Sequence, residues 1–206
     1  GVTNGLESSM FQLGKILLLS TVSVLGTASV AANAIGNTFA TFQCVAGNAL
    51  GLGIVTVVSQ CVGAGDYERA RFYTKKLLKM TYLFMSLSIL LVYLSMPLLL
   101  RLYNVSAEAE TYARQIVWLH GFMGILIWPL SFTLPQALRA AGDTRFTMLV
   151  SSVSMWTMRV GFGILLGRFL GFGVVGIWMA MFTDWILRIS FFVPRFRGHK
   201  WEEMAL

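Results

Sequence analysis

Between Lys15 and Asp66 the chain carries no charged residue over 50 consecutive positions, 16–65. A soluble domain cannot supply such a stretch, because its surface needs charge at short intervals. A bilayer-spanning helix needs about 20 mainly apolar residues, so this gap holds two helices rather than one. Their turn is expected near Gly26-Thr27, giving spans of 9–26 and 30–62. The second is too long for a perpendicular crossing and must tilt or project beyond the hydrocarbon.

The same reading continues along the chain. Residues 80–100 are charge-free and form a third span, ending near Pro97. The fourth, 112–138, is charge-free from position 115; the fifth, 146–167, is interrupted only by Arg159. The sixth, 172–194, is interrupted by Asp184 and Arg188. The expected fold class is therefore all-α and integral to a membrane, with six spanning helices in one unit, 1–206. Charged residues make up 12% of the chain, half the usual supply of about 25%. The first residue is Gly and an apolar helix begins almost at once, which fits a piece of a longer chain.

An even number of crossings puts both ends of the segment on one side. Eleven of the 16 Lys and Arg residues then fall at that side: five in 66–79, Arg139 and Arg145, and Arg188, Arg195, Arg197 and Lys200. Three (Arg101, Arg114, Arg168) fall at the other, and Lys15 and Arg159 lie inside spans. The excess marks the cytoplasmic face, so both ends are expected to be cytoplasmic in a multi-pass plasma (inner) membrane protein. In a soluble protein the net charge of +7 would suggest nucleic acid. Here the cations sit between apolar segments, so the expected partner is membrane lipid and not nucleic acid.

Two corners punctuate this pattern. Gly63-Ala64-Gly65-Asp66 ends the second helix and opens a basic run from Arg69 to Lys79. A weaker copy follows as Leu138-Arg139-Ala140-Ala141-Gly142-Asp143-Thr144-Arg145. Glycine permits the sharp bend, and Asp66 is placed to cap the next helix. At the opposite face Ser106 is the expected N-cap of the fourth helix, with Glu108 and Glu110 in or just beyond its first turn.

Ionisable groups in hydrocarbon are costly and must face protein or water. The depths of Arg159 and Asp184 on a tight hairpin through Gly167–Gly173 predict an ion pair between the fifth and sixth helices. The competing arrangement joins Asp184 to Arg188 at i, i+4. Gln12 and Lys15 share a face of the first helix beside Phe11 and are expected to line a polar cavity, against the alternative that Lys15 snorkels to the interface. Asn33, Asn37 and Asn48 lie near one stripe of the second helix, as cavity lining or as interhelical contacts like Gln43 and Gln60. Gly47-xxx-Gly51 followed by Gly53 allows close helix approach. Pro129 and Pro135, six apart, each remove a backbone donor and predict a kinked or opened fourth helix that acts as a hinge. His120 is expected to be packed and neutral. Cys44 and Cys61 lack metal or disulfide spacing, so no metal site is expected. No paired carboxylates or HxxxD set supports an enzyme.

Taken in order, certain motifs carry a resemblance. They are Asn4-Gly5-Leu6-Glu7 leading to Phe11-Gln12-Leu13-Gly14-Lys15, then Leu25-Gly26, Ala31-Ala32-Asn33, and the two corners with Ala70. Together they resemble the C-terminal six-helix lobe of a multidrug and toxic compound extrusion (MATE) transporter, over nearly the whole chain. The resemblance implies a twelve-helix protein of two lobes around a central cavity, of which the N-terminal lobe is missing here. It implies export of amphipathic or cationic drugs and toxins in exchange for Na⁺ or H⁺ by alternating access, with no other cofactor. Gln12, Lys15 and Asn33 would face the cavity. Some members hold their cation with carboxylates in the first and fourth helices of this lobe. Here the fourth span has none and the first helix has only Glu7, which leaves cation coupling to the other lobe. A lipid-linked oligosaccharide flippase of the same superfamily and a non-transporting membrane subunit are the alternatives.

Overall fold

The computed structural model describes residues 2–204. Six long helices follow one another up and down: α1 (Val2–Val24), α2 (Thr27–Gly63), α3 (Tyr67–Tyr103), α4 (Ala107–Ala140), α5 (Thr144–Phe169) and α6 (Gly173–Arg197). A short 3₁₀ turn, Glu202–Met204, closes the described chain, and no strand occurs among the described residues. Helices α2 to α6 are each long and apolar enough to cross a membrane. Helix α1 has 23 residues, about 34 Å at 1.5 Å per residue, which also exceeds a hydrocarbon core. The six-helix membrane fold expected from the sequence is the fold observed.

Helix limits differ from the spans. The third span, 80–100, is only the middle of α3, so the cations from Arg69 to Lys79 form its first turns. Helices α2 and α3 both run 37 residues, about 55 Å, well beyond one bilayer core of about 30 Å. Both corners are built alike. Asp66 N donates to Cys61 O at 2.9 Å and Gly65 N to Val62 O at 2.9 Å, with Gly65 at φ +72°. Asp143 N donates to Leu138 O and Gly142 N to Arg139 O, both at 3.0 Å, with Gly142 at φ +90°. This pairing is the Schellman closure, which needs a left-handed residue past the helix end. Asp66 then caps α3, accepting from Arg69 N at 3.0 Å. Ser106 caps α4 in the same way.

Helix α2 lies against α3 and α4, α6 against α4 and α5, and α1 against α5. A central core joins Phe39, Ile89, Ile116, Trp178 and Trp185; a second, at the corner end, joins Ile54, Val58, Leu134, Leu138, Phe192 and Trp201. Gly47 makes room for the Trp128 ring and Met85, whereas nothing approaches Gly53 within 4 Å. The glycine pattern on α2 thus admits an indole at Gly47 and leaves Gly53 open.

Ion pairs tie the corner end together. Arg139 pairs with Glu7, and Arg195 with Asp143 at 2.7 Å. Arg71 donates to Phe196 O (2.8 Å), Gly198 O (2.6 Å) and Glu202 (2.6 Å), and its guanidinium lies 5.0 Å from the Trp201 ring. The segment after α6 is therefore folded back onto the start of α3.

Candidate functional site

Helices α1 and α2 leave an open seam, and polar side chains line both sides of it. Ser8, Gln12 and Lys15 recur at helical spacing on α1, and Asn33, Asn37 and Asn48 along α2. Two cavities occupy this seam. One, of about 250 Å³, is lined by Lys15, Asn33, Asn37 and Thr41, with Arg159 from α5 and Trp178 from α6. The other, of about 500 Å³, lies nearer the corner end and is lined by Gln12, Asn48, Phe132, Pro135, Gln136 and the Glu7–Arg139 pair. The five amide and amine positions singled out in the sequence are thus divided between two sites. Lys15, Asn33 and Asn37 share the smaller; Gln12 and Asn48 share the larger.

Within the smaller cavity, Trp178 Nε1 donates to Asn33 Oδ1 at 3.0 Å. Lys15 Nζ and the Arg159 guanidinium lie 5.3 Å and 5.1 Å from the centroid of the same ring, Phe11. Lys15 is exposed in the lobe, as are Asn37, Gln12 and Asn48.

The expected Arg159–Asp184 pair does not form. Asp184 accepts from Arg188 Nε at 2.9 Å, one turn along the same helix, and from the Ser154 hydroxyl. Both partners are buried, at 0% and 3% exposure. The depth argument assumed a regular α-helical rise, but Met155–Phe162 is wound as a π-helix. The extra residue per turn changes the register of α5, and the Arg159 guanidinium lies 5.1 Å from the Phe11 ring, at the cavity.

Helix α4 is also widened, over Pro129–Thr133, between the two prolines. The chain stays helical there. Ser131 Oγ lies 3.0 Å from both Ile127 O, one turn back, and Trp185 O, so its hydroxyl links α4 to α6 at the widened turn. Gln43 acts between helices: its Nε2 donates to Val117 O at 3.2 Å, and its Oε1 is 2.6 Å from His120 Nδ1. With Oε1 the acceptor, Nδ1 carries the proton and donates. His120 is packed edge-on to Trp178 and Trp185. Cys44 and Cys61 are free thiols, and no cluster of three His, Cys, Asp or Glu side chains occurs among the described residues. The π segment of α5 and the Trp178–Asn33 bond were not read from the sequence; the nearby Gly161, Gly163 and Gly167 are the only local hint of irregular winding.

The MatE family profile matches residues 5–165. The chain is 21% identical to the probable multidrug resistance protein NorM of Thermotoga maritima, covering all of this chain and 44% of that protein. It is 22% identical to the uncharacterized transporter YisQ of Bacillus subtilis, covering all of this chain and 45% of the relative. Among solved structures it superposes on a MOP superfamily transporter from Pyrococcus furiosus with a TM-score of 0.79 and 23% identity, over 93% of this chain and 42% of that one. The chain spans less than half the length of each. Six helices of this order, two Schellman corners and a profile match over most of the length place the chain in the MATE family of membrane transporters.

Proposed function

We propose that this chain is one lobe of a secondary antiporter that exports amphipathic drugs or toxins in exchange for Na⁺ or H⁺. Transport would proceed by alternating access between this lobe and an N-terminal partner lobe. One observation carries the reading: Gln12, Lys15, Asn37 and Asn48 are exposed along a single seam of otherwise apolar helices. Such groups are too costly to face lipid, so a second lobe or a water-filled path must cover them. The names of the relatives, multidrug resistance proteins among them, agree with this. The π-wound segment bounded by Pro129 and Pro135 borders the larger cavity and is the proposed hinge. Coupling is assigned to the missing lobe, because the only carboxylate at either cavity among the described residues, Glu7, is already paired with Arg139.

A flippase for lipid-linked oligosaccharides is the second reading, and Lys15 with Arg159 in one cavity favours it. The Pyrococcus furiosus protein has a binding pocket described as reversed in polarity and suggestive of a different function. Ethidium efflux from cells making the full-length protein separates the two. Efflux that stops when the Na⁺ and H⁺ gradients are both collapsed supports the antiporter. Accumulation independent of either gradient would sink it. Asn48→Leu should lower efflux about fivefold, equivalent to one neutral hydrogen bond. Intact transport in a well-expressed Lys15→Ala protein would remove Lys15 from the path.

A further inference from the structure

The smaller cavity is cationic. Lys15 and Arg159 both line it, and no carboxylate does. Neither makes an ion pair among the described residues: Asp184, the nearest acid by sequence reasoning, is held by Arg188. The two cations instead share the Phe11 ring. A cation–π contact does not neutralise a charge, and two like charges beside one ring repel. This arrangement lacks a counter-ion.

The neutral groups reinforce the sign. Trp178 takes one lone pair of the Asn33 side-chain oxygen, and the Asn33 amide N–H donors remain to be offered. Leu18, Val22, Ile177 and Met181 supply an apolar wall. At about 250 Å³ the cavity falls just under the usual range for whole ligands of about 300–1,000 Å³. It fits a charged head with a short apolar portion, the rest extending along the seam.

We infer that this cavity receives the anionic head, a carboxylate or phosphate monoester, of an amphipathic molecule. The guanidinium of Arg159 offers a fork and Lys15 a mobile point charge, a pairing suited to two oxygens of one anion. The inference rests on the α1–α2 seam being the substrate path proposed above. It adds anions, and zwitterions that place their negative end here, to that path's substrates.

The test is equilibrium binding of dansylglycine and of its cationic counterpart, dansyl-ethylenediamine, to the purified full-length protein, followed by energy transfer from tryptophan. Dansylglycine should bind at least about tenfold more tightly, because juxtaposed like charges penalise the cationic probe. Lys15→Met and Arg159→Met should each weaken dansylglycine at least about tenfold, as for a lost charged hydrogen bond. Lys15→Arg should retain binding. Lys15 is exposed, so its variants report even if Arg159→Met fails to fold. Displacement by inorganic phosphate would identify a soluble anion as the source. Displacement by short-chain phosphatidate alone would identify a lipid head; both outcomes uphold the site. Equal binding of the two probes, or unchanged dansylglycine affinity in Lys15→Met, would overturn it. If dansylglycine does not bind but Asn48→Leu still lowers ethidium efflux, the transport reading stands and only the anion assignment falls.

Discussion

Asp184 shows how a single charge is accommodated in an apolar helix. Its pairing with Arg188 needs no adjustment between helices, since residues four apart already face each other. Ser154 closes one side by donating to the carboxylate, and Arg188 reaches on to Ser151 O at 3.2 Å and over the Phe132 ring. Removing one member leaves the other charge buried alone. Asp184→Ala should therefore destabilise the lobe by about 3–5 kcal/mol, whereas a double replacement by leucine should cost much less. Thermal unfolding in detergent measures both, and equal losses would show that the pair does not act as a unit. Arg159 has no such partner among the described residues, which is why its removal is expected to change binding more than stability. Gln43 behaves like Asp184 on a neutral scale. Gln43→Leu strands the buried His120 N–H and should cost about 1–3 kcal/mol.

At the scale of the element, the two corners share one backbone and differ in what their aspartates do. Asp66 caps α3, whereas Asp143 makes no cap bond and is taken by Arg195. Asp66→Ala should thus cost about 1 kcal/mol, the value of an exposed cap. Asp143→Ala should cost more, because Arg195 loses its partner in a part-buried setting. The Arg71 clasp is a second local device. Burial by itself raises the Glu202 carboxyl, but hydrogen bonds from His199 and Arg71, with the Arg71 charge, outweigh it and hold the pKa below the ordinary value. A carboxyl depressed in the folded state contributes stability above its unfolded pKa, about 4.3, and loses it as pH falls through the folded value. Docking of the segment after α6 should weaken below about pH 4. Arg71→Ala should release it at neutral pH. Limited proteolysis near His199 reads out both, and resistance in Arg71→Ala would reassign the docking to Trp201 alone.

For the whole molecule, the lobe gathers its inter-element ion pairs and most of its cations at the corner end. Taking that end as cytoplasmic, a single cysteine at Lys200, in a background with Cys44 and Cys61 replaced by serine, should react with an impermeant maleimide only after the cytoplasmic side is opened. Labelling of intact cells would invert the orientation. The exposed seam along α1 and α2 has the complementary meaning: a six-helix lobe with amides and a lysine on its outer face is stable in hydrocarbon only when something covers that face.

Sequence alone determined the number of helices, their order and the corners. These depend on local physics: long charge-free runs, a glycine free to take positive φ, an aspartate one residue later, cations that cannot enter lipid. The same physics placed Gln12, Lys15, Asn33, Asn37 and Asn48 on faces that could not be wholly apolar. Only the tertiary structure decided which of them meet. Whether Asp184 takes Arg159 or Arg188 is a choice between a partner on the neighbouring helix and one a turn along its own, and no sequence period announces the π-winding at Met155–Phe162 that alters the register of α5. The division of the seam into a cationic cavity and a larger amide-lined one follows from the packing of α5 and α6 against α1. That packing is a sum of weak side-chain contacts from distant segments, and no single stretch of sequence encodes it.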